Sequence, residues 1–200
     1  MRREDWDRKY GEKEQLWSRE PNRHVVEEAQ ALAPGRALDL ACGEGRHAVW
    51  LAKLGWRVTA VDFSEVAIEK GRVRAAREKI EIDFRTADLL DFEPEPGAFD
   101  LVLVLFLQLP PDERQLVLAR AEGALAPDGT FLLIGHDLAN LAEGVGGPSD
   151  PSVLYTPEDI VAELPELEVE KAERVLREVS NVDRPAIDAL VRARRFFLDA

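Results

Sequence analysis

The sequence predicts an α/β protein with a doubly wound, mostly parallel seven-stranded sheet and an antiparallel C-terminal strand. Between residues 36 and 134, short apolar runs alternate strictly with longer segments of helical periodicity, which is the pattern of strands joined by helical crossovers. Beyond residue 168 two extended segments follow one another, joined only by the short loop 180–185. That loop is too short for a parallel crossover, so we expect the two segments to pair antiparallel.

The periodicity and the residues that end each run place the individual elements. Strands are predicted at about 36–41, 56–61, 80–86, 99–106, 130–134, 169–179 and 187–193. Helices are predicted at about 21–32, 45–54, 64–79, 110–125 and from 156 onward. Pro21 suits a first helical turn, Ser64 and Thr156 are N-cap residues, and Gly55 and the turn 127–129 end elements. The fourth strand is almost entirely apolar, as in a central parallel strand covered on both faces.

The composition excludes several functional classes. The 200 residues carry a formal net charge of −13, which repels nucleic acid and anionic membranes. No apolar run approaches the ~20 residues that span a bilayer, and none follows the charged N-terminus as in a signal peptide. Cys42 is the only cysteine, so an intrachain disulfide is impossible. We expect a single cytoplasmic domain over residues 1–200 that holds no metal and binds neither nucleic acid nor membrane.

Residues 37–46 predict a buried strand that ends in a tight turn and opens a helix. Gly43 and Gly45 allow the backbone to approach a ligand closely or to take a positive φ. The helix that follows offers unpaired N–H groups and the positive end of its dipole. Asp39 lies within the apolar strand, so its carboxylate must be paired either with a ligand or with an N–H of the loop. These features favour a ligand with donors of its own, such as a nucleoside.

Three aspartates, Asp39, Asp62 and Asp88, lie at the carboxyl ends of three successive strands, where doubly wound sheets bind ligands. Asp62 comes 19 residues after Gly43, the spacing at which a carboxylate accepts both hydroxyls of a ribose. The alternative for Asp62 is an acid that merely flanks a helix. Asp88 and the N–H of Leu89 are placed to meet an adenine, and the alternative for Asp88 is a turn residue.

Two classes of ligand fit the loop Gly43–Ala48. Read as G-x-G-x-x-A, this loop matches the dinucleotide fingerprint and suggests an NAD-dependent oxidoreductase. Asp39 and Glu44 would, however, place negative charge beside a pyrophosphate. The chain also leaves no second domain for a hydride acceptor. A ligand with a cationic amino-acid tail suits this acidic loop better.

The chain resembles the class I S-adenosylmethionine-dependent methyltransferases across residues 36–135. The matching stretches are Leu38–Gly45, Val61–Ser64, Ala87–Leu89, Phe99–Val102 and Leu125–Thr130. Further residues resemble the tellurite-resistance and thiopurine methyltransferase-like branch, namely Trp6, Asp7, Tyr10, Trp17 and Glu20–Asn22. The family's loop often reads G-x-G-x-G, and its first glycine is Ala41 here, which we expect to demand a slightly different turn.

The resemblance implies a Rossmann-like methyltransferase fold with S-adenosylmethionine as cofactor and S-adenosylhomocysteine as product. The residues that it places around the cofactor are Asp39, Ala41, Cys42, Gly43, Gly45, Arg46, Asp62, Phe63, Asp88, Leu89, Leu105, Phe106 and Gln108. His136 and Asp137, just past the fifth strand, are the candidate bases, with ordering of the following loop as the alternative. The candidate acceptor contacts are Trp17, Asn140 and Tyr155.

The same reading divides the chain into four segments. They are an N-terminal helical or lid segment at 1–34, a cofactor-binding core at 35–136, a substrate-side loop at 137–155, and a C-terminal helix and strands at 156–200. The aromatic residues Trp6, Tyr10 and Trp17 leave two interpretations of the charged N-terminus open. One is a frayed end with aromatics packed on the surface, and the other is a lid over a pocket.

The acceptor is predicted to be a small molecule. Enzymes of this class that methylate base amino groups carry an N/D-P-P-aromatic signature after the fourth strand, and Gln108–Pro111 does not match it. We expect a thiol, an amine or a metalloid oxyanion, methylated by in-line displacement, a reaction that depends mostly on positioning. A non-catalytic protein that binds S-adenosylmethionine or S-adenosylhomocysteine is the second hypothesis.

Overall fold

The computed structural model describes residues 2–196. Its strands are β1 (Arg36–Leu40), β2 (Arg57–Asp62), β3 (Asp83–Thr86), β4 (Phe99–Leu105), β5 (Leu125–His136), β6 (Glu168–Arg177) and β7 (Ala186–Arg194). Its helices are α1 (Arg3–Gly11), α2 (Arg23–Ala29), α3 (Arg46–Lys53), α4 (Glu65–Glu78), α5 (Pro111–Ala124), α6 (Asn140–Glu143) and α7 (Pro157–Ala162). A short 3-10 turn occupies Pro151–Val153.

The strands form one seven-stranded sheet in the order β3-β2-β1-β4-β5-β7-β6. β2 pairs parallel with both β1 and β3. β7 runs antiparallel to its two neighbours, β5 and β6. The predicted fold class is therefore confirmed: a mostly parallel α/β sheet of seven strands with an antiparallel strand at its C-terminal end.

The described residues form two compact units. The first comprises the chain up to Glu93 together with Phe99–Leu103, and the second comprises Pro94–Ala98 and the chain from Val104 onward. The first unit contains β1, β2 and β3, and the second contains β5, β6 and β7. The residues that the sequence predicts for cofactor and acceptor fall into both units, and each set is described in its own unit below.

Buried apolar strands and well-capped helices make the framework of the first unit. Leu38 and Leu40 of β1 are buried, as are Ala48 and Leu51 on the inner face of α3. Ser64 caps α4 as predicted, since its Oγ accepts the N–H of the third helical residue at 3.2 Å. These elements fix the loops that follow β1 and β2.

β7 is the most deeply buried strand of the second unit, because it pairs with a strand on each side. Thr156 and Asp159 form a capping box at the start of α7, which confirms the predicted helix start. The segment 137–155 contains α6 and the 3-10 turn, and Asp137 forms a bridge with Tyr155. The two ends of this predicted loop therefore pair with each other.

Two strands start well away from the predicted residues, whereas the other starts lie within about one residue. β3 starts later than residue 80, because α4 ends at a left-handed Lys79 and the N–H of Ile80 bonds back to Ala75. β5 starts earlier than residue 130, because the predicted turn is a kink within the strand. Asp128 there has a φ of 62°, and its N–H donates to the carbonyl of Arg195.

The N-terminal region is more ordered than a frayed end. α1 forms over residues of high charge, and Tyr10 on its inner face is only 5% exposed. The surface-packed frayed terminus is therefore the wrong alternative for this segment. Pro21 also lies outside the helix it is predicted to start, because Asn22 is the N-cap of α2 and accepts the N–H of His24 at 2.8 Å. Within residues 2–196 no helix has the length and apolarity needed to cross a membrane.

Candidate functional site

The turn between β1 and α3 is a run of left-handed residues. Ala41, Gly43 and Gly45 have φ values of 61°, 55° and 73°. The N–H of Cys42 donates to the carbonyl of Val61 at 3.0 Å, which ties the turn to β2. Ala41 adopts the left-handed conformation that a glycine adopts without cost. The turn is therefore the same as one with glycine at this position, and the alanine adds backbone strain of about 1–2 kcal/mol. We call residues 41–45 the glycine turn.

Neither glycine of the turn leaves room for a side chain. A Cβ built on Gly43 would lie 2.8 Å from the hydroxyl oxygen of Tyr10. A Cβ built on Gly45 would lie 2.8 Å from the ring of Phe84, which also packs against Gly71 of α4. The glycine turn is therefore held between a ring from β3 and a hydroxyl from α1.

We expect Gly45→Ala to lower the free energy of unfolding by roughly 2–4 kcal/mol, measured from urea denaturation curves. The added methyl group would clash with Phe84 and would also have to adopt a φ of 73°. Gly123→Ala in α5 is the matched control, because a Cβ there meets nothing within 4 Å. The control should be neutral or stabilise by up to about 1 kcal/mol. A Gly45→Ala midpoint equal to that of the wild type would contradict this account.

Asp39 is a buried carboxyl without a partner. Its side chain has no solvent exposure, and neither oxygen has a hydrogen-bond partner among residues 2–196. Burial raises the pKa of Asp39 from 3.8 to about 7; the charge of Asp62 adds to this shift and Arg46 opposes it. No N–H completes a hydrogen bond to it within residues 2–196, although the N–H of Ala48 lies near enough to lower its pKa.

Asp62 braces the glycine turn from the end of β2. Its Oδ2 accepts the N–H of Gly43 at 2.8 Å, and its Oδ1 accepts the N–H of Ser64 at 2.9 Å. Burial raises the pKa of Asp62, while these two N–H groups lower it. The carboxylate thus joins the loops after β1 and β2, and each oxygen keeps a further lone pair with which to accept another donor.

The other predicted cofactor residues of this unit differ in exposure and contacts. Asp88 lies in an exposed turn, where its Oδ1 accepts the N–H two residues later at 2.9 Å, as in the alternative turn role. Leu89 beside it is buried, and Phe63 and Arg46 are half-buried. Burial, followed by the charges of Asp39 and Asp62, raises the thiol pKa of Cys42 well above its usual value. The thiol is therefore held neutral.

The N-terminal segment is fastened to the glycine turn by charged side chains. We call residues 13–21 the strap. The carboxylate of Glu44 accepts the N–H groups of Leu16 at 3.0 Å and Trp17 at 3.4 Å. Lys70 of α4 lies 3.3 Å from Glu44 and also donates to two carbonyls at the end of α1 and the start of the strap. Glu44 is thus buried at the centre of this junction.

Three aromatic rings pack together beside the strap. Trp6 stacks on Tyr10 with ring centroids 5.7 Å apart, and Trp17 tilts against Trp6 at 6.5 Å. Burial raises the pKa of Tyr10, and the charge of Asp62 adds to the shift, so its hydroxyl stays protonated next to Gly43. Trp17, the candidate acceptor contact of this unit, keeps 49% of its surface exposed.

A buried histidine also holds the N-terminal segment. Nε2 of His47 accepts the backbone N–H of Asn22 at 3.2 Å, so the imidazole must be neutral. Burial lowers the pKa of His47 well below 6.5, and Arg46 adds to the shift. In the unfolded chain His47 therefore binds a proton as the pH falls below about 6.5, whereas in the folded protein it stays neutral.

We expect this histidine to make folding sensitive to acid. Its contribution to the free energy of unfolding is complete above about pH 6.5 and is lost as the pH falls. Urea denaturation between about pH 7 and pH 5 should therefore show a shallower loss of stability in His47→Gln than in the wild type. Parallel pH profiles for the two proteins would contradict the assignment of a neutral His47.

In the second unit, the residues after β4 brace the end of β5. Leu105 is buried, and Phe106 takes a φ of 55°, a left-handed conformation that is strained for a large residue. Oε1 of Gln108 accepts the N–H of His136 at 3.0 Å, and its Nε2 donates to the carbonyl of Val153 at 3.0 Å. Both ends of the Gln108 amide are therefore engaged in the described structure.

His136 faces a buried acid on the neighbouring strand. Asp188 lies directly opposite in the register of β5 and β7, with Oδ1 3.4 Å from the histidine Nδ1. Oδ2 of Asp188 accepts from Nε of Arg177 at 2.6 Å. Burial would raise the pKa of Asp188, but its contacts with His136 and Arg177 outweigh burial and lower it.

Asp137 makes the contacts of a residue that orders the following loop. It is fully buried, and its Oδ1 accepts the N–H of Ala139 at 2.7 Å and Nε of Arg174 at 3.0 Å. Its own N–H donates to β7. These contacts correspond to the alternative role that the sequence allows for Asp137.

The two candidate acceptor contacts of this unit are buried. Oδ1 of Asn140 accepts the N–H of Ile187 at 2.7 Å. Tyr155 is 1% exposed and donates its hydroxyl to the carbonyl of Leu107 at 3.3 Å, while the guanidinium of Arg114 lies 5.3 Å from its ring centre. Both side chains therefore hold the segment 137–155 in place.

The sequence does not single out Lys70, Arg177 or Asp188 as contributors to a site, and it marks Glu44 only as a negative charge in the loop. The signal for Asp188 is an acid in the middle of the apolar run 186–191. The signal for Glu44 is an acid between two turn glycines. Neither signal names the partner residue, because the partner comes from a distant part of the chain. Within residues 2–196, no group of three or more His, Cys, Asp or Glu side chains could hold a metal ion.

Part of the chain matches a known family model. Residues 37–129 match the family model described as Methyltransferase domain. The matched segment includes the glycine turn, Asp62 and Asp88. The match covers just under half of the chain, and it agrees with the resemblance of the sequence to class I S-adenosylmethionine-dependent methyltransferases.

Among curated relatives, the chain is similar to the ubiquinone biosynthesis O-methyltransferase of Xanthomonas campestris pv. campestris. The two are 32% identical over 131 residues, which cover 64% of this chain and 54% of the relative. The chain therefore spans about half the length of this relative.

Two solved structures share the fold at low sequence identity. One comes from work on the conversion of a disulfide bond into a thioacetal group during echinomycin biosynthesis; it has a TM-score of 0.75, 23% identity, and coverage of 98% of this chain and 93% of that one. TehB from Haemophilus influenzae has a TM-score of 0.73, 19% identity, and coverage of 88% and 62%. These likenesses establish the fold, and they do not confirm the tellurite-resistance or thiopurine branch.

Proposed function

We propose that the protein transfers a methyl group from S-adenosylmethionine to a small-molecule acceptor. The observation that carries this proposal is Asp39, a fully buried carboxylate with no hydrogen-bond partner in the described structure, beside a turn of left-handed residues. A buried carboxylate needs a donor or a cation. The ammonium group of the methionine part supplies both, whereas a pyrophosphate would add repulsion.

The glycine turn and its braces fit an adenosine derivative. Asp62 is already fixed by two N–H groups, and its remaining lone pairs can accept ribose hydroxyls without releasing the turn. Asp88, Leu89 and Phe63 are our candidates for the adenine, and Cys42, Gly43 and the N-terminus of α3 for the methionine part. When bound, the cofactor supplies an electrophilic methyl group on a sulfonium. We keep Leu105, Phe106 and Gln108 as the candidates nearest to that group.

The acceptor class is a separate part of the proposal. The curated relative is named an O-methyltransferase, whereas the echinomycin study concerns sulfur. The acceptor panel should therefore contain hydroxyl compounds beside the thiols, amines and metalloid oxyanions that the sequence suggests. The net charge of −13 favours such small molecules over nucleic acid.

Ligand-induced stabilisation tests the cofactor directly. A ligand that binds only the native state raises the unfolding midpoint, so S-adenosylhomocysteine should raise it more than NAD at equal concentration. A larger shift with NAD would overturn the proposal in favour of an oxidoreductase. Asp83→Asn on β3 is a suitable control variant, because this exposed acid lies outside the glycine turn and should keep the full response.

Turnover then separates an enzyme from a binding protein. The purified protein is incubated with methyl-labelled S-adenosylmethionine and the panel of hydroxyls, thiols, amines and oxyanions, and labelled product is counted. Transfer to at least one acceptor supports the enzyme. Tight binding of S-adenosylhomocysteine with no transfer to any of them would favour the non-catalytic binder.

A further inference from the structure

His136 and Asp188 form a cross-strand pair at the carboxyl end of β5. They are register partners, and Nδ1 of the histidine lies 3.4 Å from Oδ1 of the aspartate. At this distance the two atoms are close without completing a hydrogen bond. Proton-transfer contacts are often this long in a ligand-free protein and tighten when substrate binds.

The acid of this pair is built to stay ionised inside the protein. Asp188 has no solvent exposure. Arg177 binds both of its oxygens, with Nε 2.6 Å from Oδ2 and Nη2 3.3 Å from Oδ1. A buried carboxylate without such a partner would be costly, so the guanidinium compensates the charge. The arrangement of histidine, buried acid and arginine is therefore complete within the second unit.

The imidazole of His136 is fixed in position from several sides. The ring of Phe106 lies 5.4 Å away, and Arg177 lies 5.2 Å from the centre of that same ring. A Cβ on Gly147 would come within 2.8 Å of the imidazole, so only glycine fits there. Gln108 holds the backbone N–H of His136. Nδ1 faces Asp188, so Nε2 is the ring nitrogen that can interact with another molecule. No described residue forms a hydrogen bond with this Nε2.

We infer that His136 is the general base of the reaction and that Asp188 is its positioning residue. The inference rests on the proposed methyl transfer. Asp188 favours the tautomer with the proton on Nδ1, by accepting a hydrogen bond from that N–H, and so leaves Nε2 unprotonated and ready to accept a proton. Arg177 acts one step further out, by holding Asp188.

This pair also selects the class of acceptor, which is a weakly acidic hydroxyl such as that of a catechol or phenol. An oxyanion has no proton to lose, a neutral amine attacks through its own lone pair, and a thiol is more acidic than a phenol by about 1.5 pKa units. A phenolic hydroxyl gains most from a base. In the transfer, an oxygen lone pair forms the bond to the methyl carbon, the carbon–sulfur bond breaks with its electrons on sulfur, and the hydroxyl proton passes to Nε2.

The charged groups that face His136 are few. Asp188 of β7 is the described charge that contacts it directly, and Arg177 of β6 contacts Asp188 and the ring of Phe106 instead. Asp137, the next residue along the chain, is bound by Arg174 and the N–H of Ala139. The pH dependence of the base should therefore respond to Asp188 more than to any other described residue.

The first test compares two acceptors that differ in acidity. His136→Gln should lose about 100-fold or more in kcat/KM towards catechol, and much less towards 4-nitrocatechol assayed at a pH where that acceptor is already ionised. Its rate should also lose the ascending limb of the pH profile. His24→Gln, which removes a histidine of the first unit, should keep both the rate ratio and the limb.

Equal losses towards the two catechols would overturn the role of His136 as base, since a merely structural residue affects both acceptors alike. If the wild type methylates thiols or amines but neither catechol, the hydroxyl class is overturned. S-adenosylhomocysteine should stabilise His136→Gln as it does the wild type. This separates failure of the inference from failure of the proposed function, in which the wild type itself shows neither stabilisation nor transfer.

The second test needs no acceptor. Long-range proton–nitrogen NMR reports which ring nitrogen of each neutral histidine carries the proton, and the His136→Gln spectrum identifies the His136 signals. We expect the Nδ1–H form in the wild type and a mixture of forms in Asp188→Asn. A wild-type His136 with its proton on Nε2 would overturn the positioning role of Asp188 whatever the turnover results.

Discussion

Replacing Asp39 by asparagine should stabilise the cofactor-free protein at about pH 8 and weaken its binding of S-adenosylhomocysteine. Burial raises the pKa of Asp39 from 3.8 to about 7, so above neutral pH the folded protein carries an unfavourable buried charge. A shift of this size corresponds to a stabilisation on the order of 4 kcal/mol when the charge is removed. Urea denaturation of the apo protein measures the change, and calorimetric titration measures the affinity.

The pH dependence of this effect has a definite sign. Because the folded pKa of Asp39 is raised, its carboxyl contributes fully to stability below about pH 4, and this contribution is lost as the pH rises to about 7. The gain from Asp39→Asn should therefore be small near pH 4 and complete near pH 8. Asp88→Asn is the matched control, because Asp88 is exposed and should give no such gain. A gain of the same size at both pH values would contradict the buried-charge explanation.

Replacing Asp62 by alanine should cost both stability and affinity. Each buried N–H that loses its acceptor costs about 1–3 kcal/mol, and Gly43 and Ser64 would both lose theirs. We expect a destabilisation of about 2–5 kcal/mol in urea denaturation. Affinity for S-adenosylhomocysteine should fall by a further 1–3 kcal/mol, or roughly 5- to 150-fold, through lost charged hydrogen bonds.

Asp62→Asn separates the two roles of this residue. The amide keeps an acceptor for one of the two N–H groups, so its stability should lie between those of the wild type and Asp62→Ala. Affinity is measured by calorimetric titration under conditions where each variant is folded. Unchanged affinity in folded Asp62→Asn and Asp62→Ala would remove the ribose assignment and leave Asp62 as a brace for the glycine turn.

Much of the fold can be predicted because its determinants are local. Apolar runs of strand length, helical periodicity and the caps Ser64 and Thr156 act within a few residues. The short loop 180–185 forces an antiparallel pair for geometric reasons. The errors are also local in origin, since Asp128 continues a strand through a left-handed kink where the same sequence usually makes a turn.

The site is only partly predictable because its polar contacts join distant segments. The aspartates after β1, β2 and β3 are visible from their position at strand ends. Glu44, in contrast, binds the N–H groups of residues 28 and 27 positions earlier in the chain. Asp188 lies among the polar positions of an alternating strand, which the pattern would leave facing solvent, but its side chain is fully buried. Such pairings depend on register, which no short pattern encodes.

Charged side chains, rather than a backbone ladder, fasten the strap to the rest of the first unit. The anchoring groups are Glu44, Lys70 and Arg74, and the last of these donates to the carbonyl of Arg19 at 3.0 Å. Lys70 is 26% exposed, so dissolved ions can screen it. Detachment of the strap would thus leave every strand intact. Raising the ionic strength should accordingly make proteases cut the chain more readily between residues 13 and 21.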